Sequence, residues 1–150
     1  MEFSSDNLRR TVLKEEDEQV YSLFKELLIA KRGQRAVEER LIKSLSKPLH
    51  RKWMDERVLD QYKHERMISE ISREHLEKEM VLEGVRGNTN IHSSLAHELV
   101  IRLEAVENNI QFISNISQPI EDFKVYKMLN AIITDESIYQ NRLVMMLNDR

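Results

Sequence analysis

The chain has 150 residues, 33% of them charged, and its 23 Lys and Arg against 26 Asp and Glu give a net charge of −3. This near balance argues against a general polyanion-binding protein, and the absence of cysteine excludes a disulfide scaffold, thiolate metal sites and thiol catalysis. Only three Gly and two Pro interrupt the chain, which indicates long helices and an all-α fold.

Helical periodicity predicts four helices in a single domain over residues 1–150. We expect hairpin 1 at about 15–83, a linker at 84–91 and hairpin 2 at about 92–148. Helix 1 begins between Asp6 and Asp17 and ends near Leu45, and helix 2 runs from Pro48 to between Glu77 and Glu83. Helix 3 spans about His92–Ser117, and helix 4 spans about Glu121–Asn148. A Pro at the start of helix 2, and another just before helix 4, can end one helix and open the next.

The two hairpins are related by an internal repeat. Residues 42–49 and 113–120 share the pattern Ile-x-x-(Leu/Ile)-Ser-(Lys/Gln)-Pro-(Leu/Ile), and Glu26-Leu27-Leu28-Ile29 matches Glu98-Leu99-Val100-Ile101. A duplicated helical hairpin buries its apolar stripes by packing two copies together. The sequence therefore predicts a four-helix bundle, with either a ferritin-like or an up-down-up-down topology.

Neither a membrane partner nor a membrane span is expected. Residues 1–14 lack the apolar core of a signal peptide, and no segment reaches the roughly 18 apolar residues that a membrane-spanning helix needs. We expect a soluble, cytoplasmic protein.

Polar residues interrupt each predicted apolar stripe where it should face the core. They are Lys31, Gln34, Arg35 and Glu38 in helix 1, Arg57, Asp60 and His64 in helix 2, Glu107 in helix 3 and Glu136 in helix 4. A carboxylate on such a face must be paired, bound to a metal or protonated. One interpretation is an internal ion-pair layer that fixes the register of the hairpins. Its predicted members are Arg35, Glu38, Arg57, Asp60, His64, Glu107 and Glu136.

The second hairpin also resembles that of ferritin-like and rubrerythrin-like proteins. The resemblance rests on Glu107 in helix 3 and on Glu136, 29 residues later, in a segment Asp135-Glu136-Ser137-Ile138-Tyr139. In that family each hairpin supplies one Glu from its first helix and a Glu-x-x-His pair from its second. Here Tyr139 stands where the His belongs, Gln61-x-x-His64 keeps the His without the Glu, and Arg35 is equivalent to Glu107.

What the resemblance implies is a ferritin-like bundle with a degenerate metal site. The metal-binding alternative uses Asp60, His64, Glu107 and Glu136 as oxygen and imidazole ligands of Fe or Mn. A third interpretation is that the helical phase is misjudged and several of these side chains face solvent.

A separate group of charges surrounds the first hairpin turn. Eight basic residues lie between Lys31 and Lys52, against two acidic ones. The candidate anion-binding residues are Arg40, Lys43, Lys47, Arg51 and Lys52. Cations near the C-terminus of helix 1 are also favoured by its dipole, so a solvated helix end is the competing interpretation.

These observations leave three functional hypotheses. The first is a non-catalytic bundle, with no cofactor, that forms a dimer or binds another protein. The alternative is a divergent carboxylate-bridged Fe or Mn protein with oxidase, peroxidase or metal-storage chemistry. The third is nucleic-acid binding through the basic turn, which predicts a steep dependence on salt.

Overall fold

In a computed structural model, the chain forms an all-α four-helix bundle, as predicted. The structure describes residues 5–80, 82 and 94–149, with side chains from residue 18 onward. The helices are α1 (Ser5–Leu41), α2 (Pro48–His75), α3 (Leu95–Ser117) and α4 (Phe123–Asn148), and a 3-10 turn at Ile42–Ser44 follows α1. Among these described helices, none combines the length and the hydropathy that crossing a membrane requires.

Local capping explains where three helices begin. Pro48 is the first residue of α2, where its missing N–H costs nothing. The Asp122 carboxylate accepts hydrogen bonds from the backbone N–H groups of Lys124 (2.9 Å) and Val125 (3.2 Å) at the start of α4, and Ser94 caps α3 through the N–H of His97 (3.3 Å). The predicted linker at 84–91 lies outside the described residues.

Helix α2 ends at His75, before the predicted range of Glu77 to Glu83. The backbone N–H groups of Leu76 and Lys78 both donate to the carbonyl oxygen of Ser72, at 3.0 and 3.2 Å. Glu77 adopts a positive φ of 53°, the left-handed conformation that commonly ends helices and favours glycine. Because a glutamate occupies this position, the sequence carries no sign of the helix end.

The helix order is up-down-down-up. Contacts between α2 and α4 run from His75–Asp122 at one end (3.2 Å) to Glu56–Arg142 towards the other (2.6 Å), so these helices are antiparallel. Helix α1 packs against α2 and α3, and α4 packs against the same two. Helices α1 and α4 are therefore diagonal and parallel. This order differs from the up-down-up-down topology, because α2 ends and α3 begins at opposite ends of the bundle.

The core consists of two apolar clusters. One cluster contains Phe24, Leu28, Ile68, Ile113 and Leu129, among others. The other contains Leu41, Met54, Leu99, Val106, Tyr139, Leu143 and Met146, among others. The positions between them along α1, α2 and α4 are occupied by buried polar and charged side chains.

Candidate functional site

Six almost inaccessible polar side chains lie between the two apolar clusters, and we call them the charge layer. Their relative exposures are between 0 and 2%. They come from α1, α2 and α4: Lys31, Glu38, Arg57, Gln61, His64 and Glu136. The two carboxylates balance the two cations, so the layer has no net charge when His64 is neutral.

Arg57 joins the two carboxylates of the charge layer. Its Nε donates to Glu38 Oε2 (2.9 Å), while Nη1 and Nη2 donate to the two oxygens of Glu136 (2.9 and 3.1 Å). The guanidinium also stacks over the Tyr139 ring, 4.0 Å from its centroid. Gln61 Nε2 donates to the second oxygen of Glu38 (2.7 Å). Arg57 is thereby fixed by bidentate, charge-assisted contacts of the kind that make buried pairs tolerable.

Lys31 extends the layer to His64. Its ammonium donates to Glu136 Oε1 and lies 3.0 Å from His64 Nδ1. Because an ammonium only donates, Nδ1 must accept, and the proton of the neutral imidazole is on Nε2. Nε2 then donates to Asp135 Oδ2 at 2.8 Å. The contacts on both sides of the ring therefore specify a neutral His64 in a single tautomer.

The pKa values follow from burial and charge pairing. Burial acts to raise the pKa of Glu136, but Lys31 and Arg57 outweigh it and lower that pKa to about 2. Burial lowers the pKa of Lys31 to about 8, against the opposing effect of Glu136. Burial also opposes the charge on Arg57, yet Glu38 and Glu136 raise its pKa above the usual value. Glu136, Lys31 and Arg57 are therefore charged at neutral pH.

The pKa of His64 is lowered, whereas the pKa of a histidine in an ordinary ion pair is raised. Burial, followed by the positive charge of Lys31, lowers its pKa to about 4. The hydrogen bond with Asp135 opposes this shift, and the same bond helps to lower the pKa of Asp135 although burial of that carboxyl acts to raise it. His64 is therefore neutral at physiological pH, as its hydrogen bonds require.

The structure brings together four of the seven residues predicted for the ion-pair layer: Glu38, Arg57, His64 and Glu136. It does not bring in Glu107, whose side chain is exposed. Asn109 is the buried polar residue of α3, and its amide nitrogen lies 3.5 Å from Glu136 Oε2. Because two residues correspond to about 200° of helical rotation, Asn109 faces the core and Glu107 faces away. The inward placement of Glu107 was wrong.

Arg35 and Asp60, which were also predicted to belong to the ion-pair layer, lie at the margin of the bundle. Arg35 instead binds Glu65, with Nε donating to Oε2 at 2.8 Å. Asp60 is half-buried, and burial together with the neighbouring carboxylate of Asp135 raises its pKa. Neither residue belongs to the charge layer.

Sequence reasoning missed Lys31 and Gln61 in the layer and their neighbours Asn109 and Asp135. Lys31 was recognised as an interruption of the apolar stripe. Because it also belongs to the basic segment before the first turn, its pairing with Glu136 was not predicted. That stripe position was the available signal, because a cation seven residues before Glu38 faces the same side of the helix.

The charge layer does not fit the carboxylate-bridged metal centre that the resemblance implies. Both oxygens of Glu136 already accept from cationic groups, and Glu107 points outward. Within the described residues, no three His, Asp or Glu side chains come together as ligands for one metal ion.

The predicted anion-binding residues surround the turn between α1 and α2. Arg40, Lys43, Arg51 and Lys52 are exposed, and Lys47 is half-buried. Lys47 is engaged with the far end of α4, where its Nζ lies 2.9 Å from Asp149 Oδ1. This pairing reduces the positive charge that the turn offers to a ligand.

Comparison with known proteins adds no relative. No family model matches the chain, and searches among curated proteins and solved structures give no match.

Proposed function

We propose that this protein is a non-catalytic helical bundle that acts by self-association, through the surface where α2 and α4 meet. The observation that supports the proposal is the charge pattern of this surface. Outside the buried charge layer, four ion pairs of Lys or Arg with Asp or Glu cross it within the described residues, and we call them the α2–α4 seam. They are Lys47–Asp149 (2.9 Å), Glu56–Arg142 (2.6 Å), Lys63–Asp135 (3.1 Å) and Glu74–Lys124 (3.3 Å).

The polarity of these pairs alternates along the seam. The α2 side carries a cation, an anion, a cation and an anion in succession, and the α4 side carries the reverse. A second copy related by a two-fold axis parallel to the helices brings each α2 against the α4 of the other copy. Each charge of these four pairs then faces its opposite, as a symmetric dimer interface requires. The seam is therefore electrostatically complementary to itself.

Exposed apolar side chains accompany these charges. Leu59 is 67% exposed and Ile138 is 47% exposed. Each lies between the ion pairs Glu56–Arg142 and Lys63–Asp135, three residues from one and four from the other. The same two-fold axis places Leu59 opposite Ile138 of the second copy. An apolar centre with a charged rim is the usual anatomy of a protein interface.

Further apolar surface continues along the seam. Leu49 is 51% exposed and lies seven residues before Glu56, while Met145 is 54% exposed and lies seven residues after Ile138. A spacing of seven is two helical turns, so each pair shares a stripe. Exposed ion pairs contribute little energy individually. We therefore expect the apolar side chains to supply most of the affinity and the charges to set the register.

Changing Leu59 to Glu is expected to raise the dimer dissociation constant by roughly tenfold or more, because a symmetric interface contains the substitution twice and each copy loses apolar burial. Sedimentation equilibrium of the purified chain over a range of concentrations measures this constant. Val100→Glu is the matched control, since Val100 is an exposed apolar residue (39%) on α3, away from the seam. A wild-type chain that stays monomeric throughout, or an equal effect of both changes, contradicts the proposal.

A charge exchange tests the pairing directly. The double change Glu74→Lys with Lys124→Glu keeps an ion pair within the chain and a complementary face between identical copies. Mixed with the wild type, however, it places like charges opposite each other at this pair, which disfavours the mixed dimer. Dimers that mix freely with the wild type contradict this surface, even if the protein self-associates elsewhere.

A further inference from the structure

A groove of about 430 Å³ lies between α1 and α2, on a different face of the bundle from the α2–α4 seam. Four arginines line it, two on each helix: Arg32 and Arg35 on α1, and Arg66 and Arg73 on α2. The other charged residues of its wall are Glu65 and Glu70. The lining has two positive charges more than its own carboxylates balance, and Glu39, which accepts from Arg35 Nη1 at 3.3 Å, balances one of them from beside the groove. It lies apart from the basic turn identified in the sequence.

Arg32, Arg35 and Glu65 form a fixed floor. Arg35 donates to Glu65 through Nε (2.8 Å) and Nη2 (3.2 Å), and Arg32 Nε donates to the same carboxylate at 3.2 Å. Arg35 also lies over the Tyr62 ring, 4.1 Å from its centroid, and donates to the Tyr62 hydroxyl at 2.9 Å. These contacts hold the guanidinium groups in place before any ligand arrives, which reduces the entropy lost on binding.

The α2 wall of the groove carries the guanidinium groups that are open to a ligand. Arg66 and Arg73 are exposed and seven residues apart, so they lie on one stripe, with Ser69 between them. Neither takes part in an ion pair within the described part of the chain. Arg32 has a partner for Nε alone, which leaves its two terminal nitrogens as donors. Three arginines of the groove therefore have terminal donors available to an anion.

The charge and the size of the groove select the class of anion. A phosphomonoester carries a charge of about −1.5 to −2 at neutral pH and three strongly accepting oxygens, which suits the excess positive charge of the groove and the forked donors of arginine. A single phosphate fills only part of about 430 Å³, so the esterified group has room beside it. We propose that the α1–α2 groove is a binding site for a small phosphomonoester.

The test is a titration of isotope-labelled protein with phenyl phosphate, followed by backbone amide chemical shifts. We expect saturable shifts centred on Arg66, Ser69 and Arg73. Dimethyl phosphate, a diester with a single negative charge, is expected to bind roughly tenfold more weakly because it leaves one arginine unmatched. Inorganic phosphate separates recognition of the phosphate itself from contacts with the organic group, since equal affinity for both probes assigns the site to free phosphate.

Arg73→Gln is expected to weaken phenyl phosphate binding by about tenfold, the loss of one charge-assisted contact. Arg66→Lys keeps the charge but removes the forked donor, and is also expected to weaken binding. Arg51→Gln is the matched control, because Arg51 is exposed on the same helix but outside the groove. It removes the same charge and should change the affinity by less than about twofold, the effect of a distant exposed charge.

Three outcomes overturn the proposal: the absence of saturable binding, equal weakening by Arg73→Gln and Arg51→Gln, or tighter binding of a short single-stranded oligonucleotide than of phenyl phosphate. Equal weakening assigns the binding to general electrostatics, and tight oligonucleotide binding assigns it to nucleic acid. The groove is lined by α1 and α2, whereas the seam is formed by α2 and α4, so a failure of dimerisation leaves the groove untouched. Met145→Glu, a change on the α4 side of the seam, should not alter phosphate affinity.

Discussion

Replacing Glu136 by Gln is expected to lower the free energy of unfolding by about 3 to 5 kcal/mol, the usual cost of removing one partner from a buried ion pair. Glu136 is fully buried and accepts hydrogen bonds from both Lys31 and Arg57. Its loss leaves those two cations in the core with Glu38 as the one remaining carboxylate of the charge layer. Part of the cost is the repulsion between them, and part is desolvation that no longer has a compensating contact.

Urea unfolding at a single protein concentration measures this effect. Glu107→Gln is the matched control, because it makes the same chemical change on an exposed position of the neighbouring helix and should stay within about 0.5 kcal/mol of the wild type. Adding Lys31→Met to Glu136→Gln should recover part of the loss, since it removes the excess charge. Equal effects at positions 136 and 107 are incompatible with a buried charge layer.

The charge layer is better understood as a device for specificity than as a source of stability. Well-packed apolar residues often stabilise a core as much as a buried ion pair does, or more. What the layer supplies is a constraint, because Arg57 satisfies Glu38 and Glu136 together only when α1, α2 and α4 have the observed register. This requirement suits a bundle made of two similar hairpins, whose apolar stripes alone permit alternative alignments.

The sequence was sufficient to predict the helices and some of the buried charges. The repeated Ser-x-Pro pattern and the helical periodicity placed four helices to within a few residues at most ends, because capping and hydrophobic spacing are local properties. Glu136 was recognisable because Ile132 and Leu143, which are both fully buried, lie on the same helical stripe. A lone carboxylate on such a stripe has few alternatives to burial with a partner.

The partners of these charges could not be predicted in the same way. Whether Lys31 reaches Glu136 depends on the arrangement of α1 and α4 across the bundle diagonal, which no local pattern specifies. Glu107 was placed inward because the helical phase of α3 was misjudged. In the structure Asn109 is turned inward, and Ile110 is only half-buried. A shift of one or two residues in helical phase exchanges an inward side chain for an outward one. The self-complementary seam likewise became recognisable only when α2 and α4 were seen side by side.

Acidification is expected to destabilise the protein through His64. The pKa of His64 is about 4 in the folded chain, below the ordinary value of 6.5. Between these two pH values His64 is protonated in the unfolded chain and neutral in the folded chain. Stability that is fully present above pH 6.5 is then lost as the pH falls towards 4. The shift corresponds to roughly 3 kcal/mol over the whole interval, at about 1.4 kcal/mol per pKa unit. Protonation of Nδ1 also removes the acceptor for Lys31 and places two cations 3.0 Å apart.

Between pH 7 and pH 5, the pH dependence of stability reports on His64 separately from the carboxylates. Glu136 has an ordinary pKa of 4.5 that folding lowers to about 2, so its contribution to stability is lost mainly below pH 4.5. Urea unfolding of the wild type from pH 7 to pH 5 should therefore show a loss of roughly 2 kcal/mol that is due to His64. His64→Gln, which can still accept from Lys31 and donate to Asp135 without titrating, should be less dependent on pH by that amount. His97→Gln, at an exposed histidine of α3, should retain the wild-type slope. If His64→Gln and the wild type lose stability in parallel, His64 carries its proton in the folded state and the tautomer assigned from its two hydrogen bonds is wrong.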